Sequence, residues 1–290
     1  MPRILIAGCG YVGQAAAELF CSAGGTVEGW VRSADSTAAL ATKPYAVRSV
    51  DISQRNDVAE HARSFDAVVH CASSRGGDAK AYRQIYLDGL HNLLETFPRS
   101  KLLFTSSTSV YAQSDGSWVT EESGTAPTRE TSRVLLEAEE LVLKHAGIVA
   151  RLAGIYGPGR SALLSKFLAG TAIIDRENDR FINHVHRNDI ASALLLLLTK
   201  TRQAAGIYNV ADDEPILQSE CYRWLAGKLN RPMPSIGNLS ETRKRGNSNK
   251  RVSNAKLHGF GWKPQYPTFA DAMEKSILPS FAESTRGLSC

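Results

Sequence analysis

Residues 4–20 read ILIAGCGYVGQAAAELF. A β-branched apolar run leads into three glycines, and an alanine-rich stretch with helical spacing follows. The sequence predicts a strand over 3–8 and a helix over 12–24 ending at Gly24-Gly25, where a left-handed cap is easy. Between them, Gly8, Gly10 and Gly13 form G-x-G-x-x-G. Gly8 permits a tight turn, Gly10 lets the backbone approach a pyrophosphate, and Gly13 lets the helix pack closely on the strand. The helix start at Tyr11 and Val12 offers N–H groups to an anion. In this strand–loop–helix setting the motif predicts dinucleotide binding.

Working outward, the alternation continues. Strands are predicted at 26–31, 46–51, 66–72, 101–107 and 147–154, with long helices at 79–97 and 128–146. Strand DAVVHCA is apolar enough to be buried on both faces. This pattern predicts an α/β fold: a Rossmann-type, doubly wound parallel sheet of seven strands or a similar number, with right-handed crossovers and a small C-terminal substrate lobe. After Gly154 the alternation degrades. FINHVHRNDIASALLLLL (181–198) and GIYNVAD (206–212) read as returns to the first domain. The expected division is an NAD(P)-binding domain of 1–155 plus about 181–212, and a substrate lobe of 156–180 plus 213–290. No Pro/Gly/Ser-rich linker separates them, so the two interleave.

Composition narrows the function classes. The 290 residues are 43% hydrophobic and 22% charged, as in ordinary globular proteins. A net charge of +5 suits anionic ligands. No aromatic-interleaved basic stripe or zinc-finger spacing points to nucleic acid. The cysteines, Cys9, Cys21, Cys71, Cys221 and Cys290, are scattered and lack CxxC spacing, which reads as reduced thiols in a cytoplasm. The longest apolar run, 190–198, is about half of what a bilayer span needs, so no membrane segment is expected.

The choice of dinucleotide is made at the end of the second strand. An NAD site wants a carboxylate there for the ribose hydroxyls. The sequence offers Val31, Arg32 and Ser33, and Glu28 comes too early. Arg32 can pair with a 2′-phosphate and Ser33 can donate to it, so the reading favours NADP(H) over NAD(H).

Ordered motifs along nearly the whole chain resemble the short-chain dehydrogenase/reductase superfamily, in its extended epimerase/dehydratase branch. AGCGYVG resembles the nucleotide loop. VDI at 50–52 resembles the segment whose Asp meets the adenine, implying Asp51. VVHCAS at 68–73 resembles the strand end lining the cofactor ribose, implying Cys71, Ala72 and Ser73. GLHNLLE at 89–95 resembles the next helix. FTSSTSVYA at 104–112 resembles the motif with the catalytic hydroxyl, which falls on Ser107. RLAGIYGPGR at 151–160 resembles the R-x-x-x-x-YGP motif, with Tyr156 near the substrate. RVSNAKLHGFGWKPQYP at 251–267 resembles the C-terminal segment.

The resemblance breaks in PTRETSRVLLEAEELV (127–142). The family's helix carries a proton-transferring Tyr and, four residues on, a Lys that holds the ribose. The register set by LLEAEELV puts Arg129 and Arg133 there, and no Tyr lies between 112 and 155. Arg133 can still hold the ribose, but a guanidinium cannot release a proton at neutral pH. This matches the atypical branch, which keeps the nucleotide loop and often lacks the pair. The family's Asn is replaced by Tyr86, with Asp88 two residues on. Candidates for the displaced proton are Tyr86, Asp88, Tyr111 and Ser107, and the resemblance implies that Tyr156 lies near the same cleft. Tyr86 and Tyr111 also read as packed aromatics, and Ser107 as a strand-end cap. His184 and His186 are weighed as general acids near neutral pH against structural histidines, and Asp189 is expected to cap the helix that follows it.

ETRKRGNSNKRVSNAK (241–256) concentrates Arg243, Lys244, Arg245, Lys250, Arg251 and Lys256. The resemblance implies that such groups meet the diphosphate of a nucleotide sugar, with Lys250 and Arg251 best placed; the alternative is a solvated loop. It also implies a homodimer, although 79–97 and 128–146 carry no decisive apolar stripe. Two functions stand: an NADP(H)-dependent oxidoreductase, epimerase or dehydratase acting on a nucleotide sugar or another small carbonyl or hydroxyl compound, and a non-catalytic NADP(H)-binding sensor or scaffold.

Overall fold

Seven strands form the central sheet of the computed structural model: β1 (Arg3–Ala7), β2 (Thr26–Val31), β3 (Ala46–Ser49), β4 (Ala67–His70), β5 (Lys101–Ser107), β6 (Ile148–Leu152) and β7 (Gly206–Val210). Their order is β7-β6-β5-β4-β1-β2-β3. The pairings from β6 through β5, β4, β1 and β2 to β3 are all parallel. The order reverses at β1 and β4, the place where such sheets open a crevice at the strands' C-terminal ends. The structure describes all residues except Arg75, Arg176, Asn178, 200–204, 238–247 and 287–290.

Parallel strands need crossover helices, which cover both sheet faces. β4 and β6 accordingly bury every residue. The crossovers include α1 (Tyr11–Ser22), α2, α3 (Glu130–Lys144) and α4 (Arg187–Thr199). α2 is composite: Ala79–Tyr82, then a π turn over Arg83–Asp88, then Gly89–Thr96. The sequence predicts the span of this helix but not the wider turn in it.

The chain divides into two compact units. Unit 1 is Met1–Val110, Thr125–Leu152 and Ile190–Tyr208; unit 2 is Tyr111–Gly124, Ala153–Asp189 and Asn209–Cys290. Unit 1 holds the sheet and its helices. In unit 2, Tyr156, Phe167, Tyr222, Leu225, Phe269 and Met273 belong to a buried apolar cluster. The segment 181–189, read from sequence as a return to the sheet, stays in unit 2. Phe181–Ile182 pairs with Ile216–Leu217, and His184–His186 pairs with Gly154–Tyr156. Its apolar alternation is satisfied by these short ladders. Among the described residues no helix is long and apolar enough to cross a membrane.

Candidate active site

The glycine loop of unit 1 is shaped by two close approaches and one opening. Gly8 has φ +97, and a Cβ there would lie 2.1 Å from the backbone nitrogen of Ala72. A Cβ on Gly13 would lie 2.4 Å from the Gly8 carbonyl oxygen. Both positions therefore exclude a side chain by contact. At Gly10 a Cβ would meet nothing within 4 Å. Gly10 is the residue before α1, and the first turn of that helix carries neither a capping side chain nor an acid. The positive end of its dipole lies beside this open glycine, the arrangement that accepts a pyrophosphate. These residues fit a dinucleotide.

At the end of β2, Glu28 is buried and already occupied. It accepts from the Trp30 indole at 2.9 Å and from Arg48 Nε at 2.9 Å. Arg32 is exposed. Ser33 caps the short helix Ala34–Ala39, accepting from the Ser36 amide at 3.3 Å and sharing a 2.9 Å hydrogen bond with the Ser36 hydroxyl. After β3, Asp51 Oδ1 accepts from the Ser53 amide at 3.0 Å and the Ser53 hydroxyl at 2.7 Å.

The end of β4 lies against the glycine loop: the Cys71 amide donates to the Ala7 carbonyl at 2.7 Å. Burial pushes the Cys71 thiol up to about 12, so it is no nucleophile at neutral pH. Tyr86 sits in the π turn, with its ring against Tyr82, His70 and Phe104 at centroid distances of 5.0, 5.9 and 6.0 Å. Its hydroxyl bonds to Ser73, and burial raises its pKa, so the phenol keeps its proton. Beneath it, buried His70 donates from Nε2 to the Ile85 carbonyl of the π turn at 2.9 Å. Desolvation holds His70 down at about 4 and therefore neutral.

Ser107 ends β5, and its hydroxyl accepts from the Ser109 amide at 3.1 Å. With that lone pair engaged, its proton is free to be donated. The Ser109 hydroxyl meets that of Ser132 in the first turn of α3 at 3.2 Å. Arg129 is the N-cap residue of α3, and Arg133 lies one turn on; both are exposed. Further along α3, buried Glu139 accepts from Ser106 at 2.5 Å and from Arg151 at 2.6 and 3.1 Å. Neither Ser132 nor this buried pair was singled out from sequence. The hydroxyls give no periodic signal, and the 12-residue separation of the pair is set by tertiary packing.

In unit 2 the expected substrate residues are built into the fabric. Tyr156 is buried, stacked on His184 at 4.7 Å, and its hydroxyl donates to the Thr268 carbonyl at 3.5 Å. Lys250 is buried, donating to the Tyr111 carbonyl at 3.2 Å and to the Ser248 hydroxyl at 2.6 Å; burial, aided by Arg180, lowers it to about 8. Arg251 donates to the Gly116 carbonyl at 2.8 Å and lies over the rings of Trp118 and Phe181 at 5.2 and 5.0 Å. Arg243, Lys244 and Arg245 lie outside the described residues. Tyr111 donates to Asn209 at 2.8 Å. Burial lowers His184 to about 3 and His186 to about 4, so both are neutral at pH 7 and the general-acid reading of them fails. Asp189, expected to cap α4, accepts from the amides of Gln265 and Tyr266 at 2.6 and 3.1 Å.

The model of the NAD dependent epimerase/dehydratase family matches residues 4–211. The chain belongs to this family. Escherichia coli (strain K12) protein YeeZ is 27% identical over 281 residues, covering 92% of this chain and 97% of YeeZ. A candidate NAD-dependent epimerase/dehydratase from Methylobacillus flagellatus is 25% identical with a TM-score of 0.80, covering 97% of this chain and 99% of that one. The UDP-glucose 4-epimerase of Thermus thermophilus, solved in complex with NAD, shares the fold at 21% identity and a TM-score of 0.77, covering 93% and 96% of the two chains. The open glycine loop and the seven-stranded sheet are thus those of an epimerase/dehydratase family member.

Proposed function

We propose that this family member is an NADP(H)-dependent reductase, epimerase or dehydratase acting on a nucleotide sugar or another small carbonyl or hydroxyl compound. The observation that carries the NADP(H) choice is at the end of β2. Glu28 lies inside the strand, buried, with Oε1 held by Trp30 and Arg48, which argues against its serving the ribose hydroxyls. Arg32 and Ser33 offer charge and a hydroxyl to a 2′-phosphate. The nucleotide-sugar reading takes its support from the likeness to the UDP-glucose 4-epimerase.

When bound, the nicotinamide supplies hydride transfer at the substrate carbon. The chain's own residues do the rest. Gly8, Gly10, Tyr11, Val12 and Gly13 cradle the pyrophosphate, and Asp51 meets the adenine. Cys71, Ala72 and Ser73 line the ribose, which Arg133 holds by charge. Ser107 donates a hydrogen bond to the reacting oxygen. Tyr86 is a candidate for the proton transfer that the arginines of α3 cannot perform, although burial raises its pKa and so weakens it as an acid. Lys250 and Arg251, both held by partners within unit 2, are assigned to the substrate's diphosphate by the family resemblance.

A second reading, a non-catalytic NADP(H) sensor or scaffold, takes its support from Arg129 and Arg133, neither of which can transfer a proton at neutral pH. Chromatography and mass spectrometry of a panel of nucleotide sugars incubated with the protein and NADP⁺ or NADPH, which detect epimerised and dehydrated as well as reduced products, separate the two. The enzyme reading expects turnover with one of the panel, lowered about 10²-fold or more in Ser107→Ala with NADPH affinity unchanged. Absence of turnover across the panel with NADPH bound tightly gives the sensor reading.

A further inference from the structure

A π turn is rare inside a helix, and such turns concentrate at functional sites. In α2 the turn spans Arg83–Asp88, and the Gly89 amide donates to the Gln84 carbonyl, one residue further back than in an α-helix. Two neighbouring residues of the turn reach one segment of unit 1. The Ile85 carbonyl accepts from His70 Nε2 at 2.9 Å, and His70 is the last residue of β4. The Tyr86 hydroxyl bonds to the Ser73 side chain and to the Ser74 backbone. Ile85 and Tyr86 thus hold residue 70 and residues 73–74, the two ends of the segment that leaves β4.

Packing closes this clamp. The Tyr86 ring lies against His70 and Phe104 at 5.9 and 6.0 Å, and His70 meets Phe104 edge-on at 5.3 Å. Tyr86 and His70 are both buried, so water competes poorly for their hydrogen bonds. The same segment abuts the glycine loop: the Cys71 amide donates to the Ala7 carbonyl at 2.7 Å, and the Ala72 backbone leaves no room for a Cβ on Gly8. Residues 71–74 are therefore tied to the glycine loop and to the π turn together. A residue that only filled the core here would have no use for a hydroxyl, since Phe occupies the same space without burying a polar group. What Tyr86 adds over Phe is its hold on Ser73 and Ser74.

We infer that the π turn of α2 is a positioning device for the cofactor, with Tyr86 acting through Ser73 and Ser74 to fix the segment that lines the nicotinamide-side ribose. The inference rests on the proposed dinucleotide reading of unit 1, in which Cys71, Ala72 and Ser73 meet that ribose. In this role Tyr86 touches protein groups and not the reacting atoms, so it is a positioning residue. The role is separate from the proton transfer considered for Tyr86 above, and equilibrium binding reads it without any turnover. Its effect falls on the nicotinamide half of the dinucleotide. The adenosine half is assigned to Arg32, Ser33 and Asp51, which follow other strands of the sheet.

Calorimetric titration of wild type and Tyr86→Phe with NADPH, and separately with adenosine 2′,5′-bisphosphate, which lacks the nicotinamide riboside, tests this. Tyr86→Phe should weaken NADPH about fivefold or more and leave the bisphosphate within about twofold of wild type, because only the nicotinamide half meets the clamped segment. Unchanged NADPH affinity in the variant overturns the inference. So does an equal loss for both ligands, which is what a general loss of structure would give. If the wild type binds neither ligand, the dinucleotide reading has failed by itself. Amide hydrogen exchange at residues 71–74 then judges the clamp alone: faster exchange in Tyr86→Phe upholds it, and unchanged protection removes it.

Discussion

Gly8 and Gly10 are the same residue type under opposite demands. A methyl group on Gly8 would run into the Ala72 backbone, whereas on Gly10 it would project into space that the fold leaves empty. Gly10→Ala should therefore leave stability within about 0.5 kcal/mol of wild type while weakening NADPH binding at least about tenfold, because only the pyrophosphate contests that space. Paired thermal melts and calorimetry check both halves. Loss of folding in Gly10→Ala would contradict the assignment. His70 makes a second residue-scale prediction. Burial lowers it from 6.5 to about 4, so between those values the unfolded chain binds a proton that the folded chain refuses. Stability is lost as pH falls through that window, by about 3 kcal/mol for this group. His184 and His186 act in the same sense. Asp189, raised by burial to about 6, acts in the opposite one, since the folded chain holds its proton more tightly. His70→Gln keeps a donor for the Ile85 carbonyl and cannot titrate. Urea denaturation on both sides of the window should show it losing about 3 kcal/mol less than wild type. Equal losses would place the acid sensitivity elsewhere. Sequence alone shows the glycine motif, because its spacing is local. It does not show that Glu28 is spoken for, because Arg48 reaches it from the neighbouring strand.

At the scale of elements, α3 is docked by charge as well as by its apolar face. Glu139 on α3, Arg151 on β6 and Ser106 on β5 form one buried cluster. A buried pair is weak support for stability, yet breaking it is costly because one charge is left behind. Glu139→Ala should destabilise by about 3–5 kcal/mol, and Glu139→Met combined with Arg151→Met should recover most of that loss. Chemical denaturation of the single and double variants decides it; a double variant worse than the single would mean that the pair adds net stability. The boundaries of β2 and β5 are readable from their β-branched and apolar runs, and those of α3 lie within two residues of the predicted span. The π turn in α2 is not readable, because nothing in the local sequence of Arg83–Asp88 departs from ordinary helical spacing. What the turn accommodates, the His70 hydrogen bond to Ile85 and the Tyr86 hydroxyl on Ser73, comes from β4 and the segment just after it.

For the whole molecule, strand–helix alternation fixes the sheet, because parallel strands leave a crossover of regular length between them. The alternation stops being informative after Gly154. There, short ladders such as His184–His186 on Gly154–Tyr156 look in sequence like returns to the sheet. Family membership and fold are thus legible from ordered motifs, whereas the proposed chemistry turns on single positions, namely Arg129, Arg133 and Tyr86. The central claim concerns the cofactor, and calorimetric titration with NADPH and with NADH, on wild type and on Arg32→Ala, tests it most directly. The account predicts NADPH at least about tenfold tighter than NADH, with that preference erased in Arg32→Ala and NADH affinity unchanged. Equal affinities in the wild type, or a preference for NADH, would contradict it.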